Sequence, residues 1–363
     1  MAASNYYGLI LAGGRGTRFW PKSRRGRAKQ VLSFLGERSL IQQTVDRLRP
    51  VLPPKQIWVL TNDHLRAEIV AQLPEVPERQ IIAEPVARNT APAIGLAAKI
   101  LNGLDPDSVM GVFPSDHIIL DPERFLDLVR PAFEAADAGR IVVLGIRPRW
   151  AETGYGYVEF QDGVEPGATS VSPILSFREK PDAGTAAEFV AAGRFCWNAG
   201  MFFWRTSVLL DELRRHLPDT AALLDRVPAV NSADFHSTLE AIFPGAENIS
   251  IDYAVLEKAA PAGNVAGIVA ADEVGWNDVG SWNALYELLP HDPDGNTGRG
   301  EALAIDTKGT YFDANGKVVA LLGVRDLVVV DTPDALLIAD RRRAQDVGKI
   351  VKLLEQRKRD DLL

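Results

Sequence analysis

Short apolar runs and amphipathic stretches alternate through the first half of the chain. YGLIL (7–11), QIWVL (56–60), QIIA (80–83), VMGVF (109–113) and IVVLG (141–145) are short, continuous and apolar, as buried strands are. Between the first two, Ile41, Thr44, Val45 and Leu48 recur at helical spacing, and Ser39 with Gln42 makes a capping-box pattern at the start. Strands alternating with helices predict an α/β domain whose Rossmann-like, mostly parallel sheet is flanked by helices. Such sheets bind ligands at the carboxyl ends of their strands. AGGRGTR begins where the first strand is expected to end.

From about residue 150 the rhythm changes. ETGYGYVEF, ILSFREKP and FCWNAGMFFWR are aromatic and β-prone, and read as inserted antiparallel strands walling a pocket. Helical segments resume around 205–260. HDPDGNTGRG (291–300) is turn-rich and marks a linker, dividing the chain into a large domain over 1–290 and a small unit over 291–363. In the second unit Asn315-Gly316 predicts a tight hairpin, and LVVVDTPDALLIAD adds two strands. The chain is expected to end in a helix with Val347, Ile350, Val351 and Leu354 on one face, giving a β-rich C-terminal domain. The Arg341–Arg343 run reads as the solvated start of that helix.

Composition narrows the class. The 363 residues are 46% hydrophobic and 24% charged, with a net charge of −8. That balance argues against nucleic-acid binding. Cys196 is the single cysteine, so an intramolecular disulfide and a cysteine-rich zinc site are excluded. The N-terminus lacks a basic export-signal region and no apolar run is long enough for a membrane span, so a cytoplasmic protein is expected. Against the acidic whole, residues 8–30 carry Arg15, Arg18, Lys22, Arg24, Arg25, Arg27 and Lys29. A local cationic cluster of this kind suits an anionic small molecule.

Two phosphate motifs fail here. No Lys-Ser/Thr pair completes a P-loop, and Phe19 stands where a dinucleotide fingerprint needs its third glycine. What remains is a strand ending at Leu11 and Ala12, a turn with Gly13, Gly14 and Gly16, and then Thr17, Arg18 and further cations. Glycines let backbone N–H groups approach phosphate oxygens. On the glycines alone, a tight turn with a solvated basic flank explains the stretch equally well.

The full pattern LAGGRGTRFWPKSRRGRAKQ resembles the signature of the nucleotide-sugar pyrophosphorylases, and its K-Q ending resembles the mannose-1-phosphate guanylyltransferases among them. It departs from the signature at Lys22, usually leucine, and at Ala28, usually the proline before the reactive lysine, here Lys29. Further segments match in family order: AEPVARNTAPAI (83–94), FPSDH (113–117), FREKPD (177–182), WNAGMFFWR (197–205) and WNDVGSW (276–282). The resemblance implies a nucleotidyltransferase fold, GTP and mannose-1-phosphate as substrates, and Mg²⁺ as cofactor. It implies that Leu11 borders the nucleotide and that Ala12, Gly13, Gly14, Gly16, Thr17, Arg18 and Lys29 hold the triphosphate. Glu84, Asn89 and Thr90 are expected at the base, with Ser115 beside the nucleotide. A carboxylate such as Glu84 accepts from guanine N1–H and N2–H₂ together; the plainer reading is a charged turn before a helix.

The resemblance implies that Asp116 and Asp278 hold the metal, and paired carboxylates suit octahedral Mg²⁺ better than zinc. The plainer role for Asp116 is a helix cap. Gly154, Gly156, Glu179, Lys180 and Asn198 are expected around the sugar phosphate. His117 is expected to support its loop rather than bind metal, and Trp197, Phe202, Phe203 and Trp204 to be core. The catalytic set is then Arg18, Lys29, Asp116 and Asp278.

The rivals are a sibling hexose-1-phosphate transferase using another base or sugar, and a non-catalytic regulatory subunit. A homodimer is compatible with the sequence. No histidine follows His291, so no isomerase activity like that of longer relatives is expected from this chain.

Overall fold

The expected strands form within two residues of their predicted limits, as β1 (Tyr6–Leu11), β2 (Ile57–Asn62), β3 (Ile81–Glu84), β4 (Val109–Pro114) and β5 (Ile141–Ile146). This computed structural model describes residues 5–363. The export-signal reading rests partly on residues 1–4, which lie outside that range. The aromatic stretch supplies β6 (Tyr157–Phe160), β7 (Ser172–Arg178) and β8 (Phe195–Arg205), and VAGIVA supplies β9 (Val265–Ala270).

All nine strands join one sheet in the order β3-β2-β1-β4-β8-β5-β9-β7-β6. The first four run parallel, as do β5 and β9. β8 lies antiparallel between β4 and β5, and β6 and β7 pair antiparallel beyond β9. The sheet is therefore mixed rather than mostly parallel. The aromatic strands are the antiparallel insertion, and β8 carries them into the middle of the sheet.

Helices cover both faces. The helix Leu40–Leu48 opens on the expected capping box, with Ser39 accepting from the Gln42 amide and Gln42 reaching back to the Ser39 amide. It shares a face with Pro122–Asp137, while Thr90–Leu104 packs with Thr206–His216 on the other. A third apolar cluster joins Phe19, Phe34 and Trp282 to Tyr311, Val330 and Val347, and so ties the opening segment to the C-terminal strands.

Those strands are β10 (Thr297–Ile305), β11 (Tyr311–Leu322), β12 (Leu327–Asp331) and β13 (Leu336–Asp340), parallel except for the last pair. β10 begins inside the stretch expected to be a linker. Asn315-Gly316 does not turn a hairpin. Both residues are left-handed, with φ of 44° and 80°, yet β11 continues through them. Its register with β10 jumps from Arg299–Asp313 to Glu301–Val318. Left-handed backbone serves a bulge as well as a turn, and here the parallel partner holds the strand in one direction. Arg341 also differs from expectation. It stacks 3.9 Å over Tyr286 and donates to Gly309 and Asn283, so only Arg342 and Arg343 are solvated.

Candidate active site

The glycine turn leaves β1 at the carboxyl edge of the sheet and is braced from behind. Gln30 Nε2 donates to the carbonyls of Ala12 and Gly14 at 2.7 and 3.0 Å, and Thr61 Oγ1 donates to Ala12 at 3.0 Å. Gly16 has φ of 59°, and a Cβ there would sit 2.5 Å from the Lys29 Cβ. Only glycine lets the turn press onto the lysine stem.

Lys29 is buried and lies behind the turn. Its Nζ donates 2.9 Å to Asp116 Oδ2 and also to the Asp278 carbonyl, which brings two distant sequence motifs together. Burial pushes the Asp116 carboxyl up, but the Lys29 charge and hydrogen bond outweigh it and hold the group below its usual range. Burial lowers His117 to about 4, so its ring is neutral at pH 7. His117 Nδ1 accepts from Trp276 Nε1 at 3.2 Å, which leaves the ring proton on Nε2.

A cavity of about 510 Å³ opens in front of the turn. It is lined by Leu11, Ala12, Gly13, Gly14, Glu84, Asn89, Thr90, Ser115, Asp116, Gly154, Gly156, Glu179, Asn198 and Asp278. Five expected residues stand outside it. Gly16 and Lys29 form the layer behind. Thr17 faces the C-terminal helix at Gly348 and Val351. Arg18 lines a neighbouring cavity of about 550 Å³, where its Nη1 donates 2.7 Å to Gln345. Lys180 reaches sideways to Glu179 and is half exposed. Burial lowers its pKa, but the hydrogen bond and charge of Glu179 outweigh this and raise it.

At one end of the cavity burial pushes the Glu84 carboxyl up to about 8, and its Oε1 is buried without a hydrogen-bond partner. Asn89, left-handed at φ 64°, caps the helix Thr90–Leu104 through the Thr90 amide, while Thr90 Oγ1 accepts from the Ile251 amide at 2.9 Å. At the other end Glu179 Oε2 is buried and unpartnered, pressed against Gly156, where an added Cβ would collide with it. Asn198 Nδ2 donates 2.9 Å to Asp252 Oδ1. Burial and the charge of Glu179 raise Asp252 to about 7.

Sequence reasoning missed Asp252, Tyr155 and the bracing role of Gln30. Asp252 opens a π turn over Asp252–Leu256, and its only sequence signal was an acid within the apolar run ISIDYAVLEK. Tyr155, between Gly154 and Gly156, lines the same cavity as Asp278, and burial, followed by the charge of Asp278, raises its pKa. The carboxylates of Asp116 and Asp278 line one cavity, and Asp116 Oδ2 is already spoken for by Lys29. Oxygen donors of this kind fit a hard divalent cation such as Mg²⁺.

The nucleotidyl transferase family model matches residues 7–295, and a MannoseP isomerase/GMP-like beta-helix domain matches 300–354. The mannose-1-phosphate guanylyltransferase ManC of Salmonella typhimurium is 40% identical over 98% of this chain and 74% of its own length. The alginate biosynthesis protein AlgA of Pseudomonas aeruginosa is 38% identical over 97% of this chain and 73% of its own. A crystal structure from Thermus thermophilus, described as a mannose-1-phosphate geranyltransferase, superposes with a TM-score of 0.83 at 34% identity, covering 97% of this chain and 99% of that one. A Helicobacter pylori structure described as a mannose-6-phosphate isomerase shares the fold, with a TM-score of 0.60 at 24% identity over 75% of this chain and 99% of that one.

Proposed function

This chain belongs to the nucleotidyl transferases, among the mannose-1-phosphate guanylyltransferases, and from that premise we propose that it transfers GMP from GTP to mannose-1-phosphate. The observation that carries this reading is Lys29, which bridges the Asp116 carboxylate and the Asp278 carbonyl behind a glycine turn. It supports the reading because a buried cation behind the turn can compensate the charge of two polyanionic substrates.

A phosphate oxygen of mannose-1-phosphate attacks the α-phosphorus of GTP. The new P–O bond forms as the bond to the β-phosphate oxygen breaks, and pyrophosphate leaves with the electron pair. The nucleophile is already an anion, so no general base is required. The chain's task is positioning and charge compensation. Lys29 supplies positive charge beside the reacting phosphate. The glycine turn lets the backbone approach the triphosphate, with Thr17 and Arg18 at its far end. Arg18 serves the triphosphate after exchanging Gln345 for a phosphate oxygen. Glu84, Asn89 and Thr90 read the base, and Ser115 supports the nucleotide. Gly154, Gly156, Glu179 and Asn198 shape the hexose site, with Lys180 on the sugar phosphate. Mg²⁺, held by Asp116 and Asp278, would neutralise phosphate charge and orient the reacting groups.

The test is pyrophosphate release across four nucleoside triphosphates and several hexose-1-phosphates. GTP with mannose-1-phosphate is expected to give the highest kcat/KM; a preference for UTP or dTTP with glucose-1-phosphate would assign the chain to a sibling activity. EDTA should abolish turnover and Mg²⁺ restore it. Asp116→Asn and Asp278→Asn should each raise the Mg²⁺ concentration needed or eliminate turnover. Full activity in metal-free buffer contradicts the two-aspartate assignment.

A further inference from the structure

A second cleft, of about 570 Å³, lies between residues 21–27 and the C-terminal sheet and shares no lining residue with the cavity of the active site. Its charge is uneven. Lys22, Arg24, Arg27 and Arg299 line it against only Asp313 and Asp334. Lys22 pairs with Asp313, and Arg24 lies 2.9 Å from Asp334. Among the described residues, Arg27 and Arg299 have no ion-pair partner; Arg299 spends one N–H on the Ser33 carbonyl. Two guanidinium groups in a concave site focus positive potential there. Their planar forks match phosphate oxygens better than any neutral ligand. The volume suits a hexose phosphate.

The cleft is also connected to the catalytic lysine. Arg24 and Arg27 exchange backbone hydrogen bonds, N to O at 3.0 Å in both directions, so 24–27 forms one closed loop. Two residues later the chain reaches Lys29. An anion drawn to Arg27 and Arg299 would compete with Asp334 for Arg24 and so pull on the loop that leads into the active site.

We propose that this cleft binds a phosphate monoester dianion, supplied as inorganic phosphate or as a sugar phosphate, and that its occupancy tightens the 21–30 segment. The proposal does not depend on the reaction assigned above, because its test reads binding rather than turnover. Isothermal titration calorimetry on the full chain, with inorganic phosphate and with glucose 6-phosphate, compares wild type, Arg27→Ala, Arg299→Ala and Lys29→Met. Wild type should show saturable binding, and each arginine variant should weaken it about tenfold, the loss of one charge-assisted contact. Lys29→Met should leave it within about threefold, since the active site is a separate cavity. Tighter binding of glucose 6-phosphate identifies a sugar ester as the ligand, and equal binding identifies the phosphate group alone. Amide exchange over 21–30 should slow on saturation in wild type and not in Arg27→Ala. The proposal is overturned if nothing saturates below about 10 mM. It is equally overturned if binding survives both arginine variants and disappears in Lys29→Met, which places the anion in the active site.

Discussion

A methionine at Lys29 keeps the length of the stem and removes the charge. Asp116 is 38% exposed at its side chain, so water can replace the lost partner and the fold should survive. Turnover should not. Loss of a preorganised charge beside the reacting phosphate is worth about 2.7–4 kcal/mol, a fall in kcat of roughly 10²–10³. Near-wild-type kcat with native circular dichroism would remove Lys29 from the mechanism. Glu84 makes a different kind of prediction. Its carboxyl is at about 8 when folded against an ordinary 4.5, so folding favours the protonated form. Stability should therefore fall as pH rises from about 4.5 to about 8, and Glu84→Gln should flatten that slope in urea titrations. A guanine that donates two N–H groups needs the ionised carboxylate. GTP affinity in wild type should rise with pH up to about 8, with protons released on binding, and in Glu84→Gln it should be weak and independent of pH over that range. At this scale the sequence was readable where a charged side chain stands in a turn after a strand, as Asp116 does. Asp252 was unreadable because it approaches the site from a helix whose other residues read as core.

Gly16 shows why the opening turn has its composition. Alanine there would be strained at φ 59° and its Cβ would overlap the Lys29 stem, with 2.5 Å between the two carbons. Gly16→Ala should cost about 1–3 kcal/mol of stability and displace Lys29, so that kcat falls with it. At Gly14 an added Cβ would meet nothing within 4 Å, so Gly14→Ala should keep wild-type stability in the same urea titration. Equal losses in the two variants would mean that the turn is sensitive as a whole rather than at its lysine contact. Elements were legible where one signal was enough. A continuous apolar run of strand length with turn residues on each side reads as a buried strand, and β1 to β5 followed. β9 carries the same kind of run but follows a long helical region, and only its parallel pairing with β5 makes it a strand. Asn315-Gly316 misled because the same left-handed dihedrals build a hairpin and a bulge, and the neighbouring strand decides between them.

Across the whole molecule the opening segment is held as much by the C-terminal unit as by its own domain. Arg15 pairs with Glu355 at 2.8 Å, Arg18 with Gln345, Arg25 with Asp360, and Trp20 Nε1 donates to the Leu362 carbonyl at 3.0 Å. Most of these pairs are exposed and individually weak. The binding term is apolar: Phe19, Phe34 and Trp282 form an aromatic cluster, and Tyr311, Val330 and Val347 close it from the C-terminal side. None of this could be read from the sequence, because the two halves of the cluster are separated by most of the chain. A core shared in this way leaves neither part able to unfold first without exposing the other's apolar surface. We therefore expect calorimetry to show one transition, with tryptophan fluorescence and far-ultraviolet circular dichroism reporting the same midpoint. Val330→Ala, although it lies in the C-terminal sheet, should lower that single midpoint, with a loss of about 2 kcal/mol from the cavity it leaves. It should also raise KM for GTP, because the cluster it loosens includes Phe19, next to Arg18. An early, separate transition in wild type, or a Val330→Ala variant that unfolds in two steps with unchanged GTP kinetics, would mean that the C-terminal unit docks on the phosphate loop without supporting it.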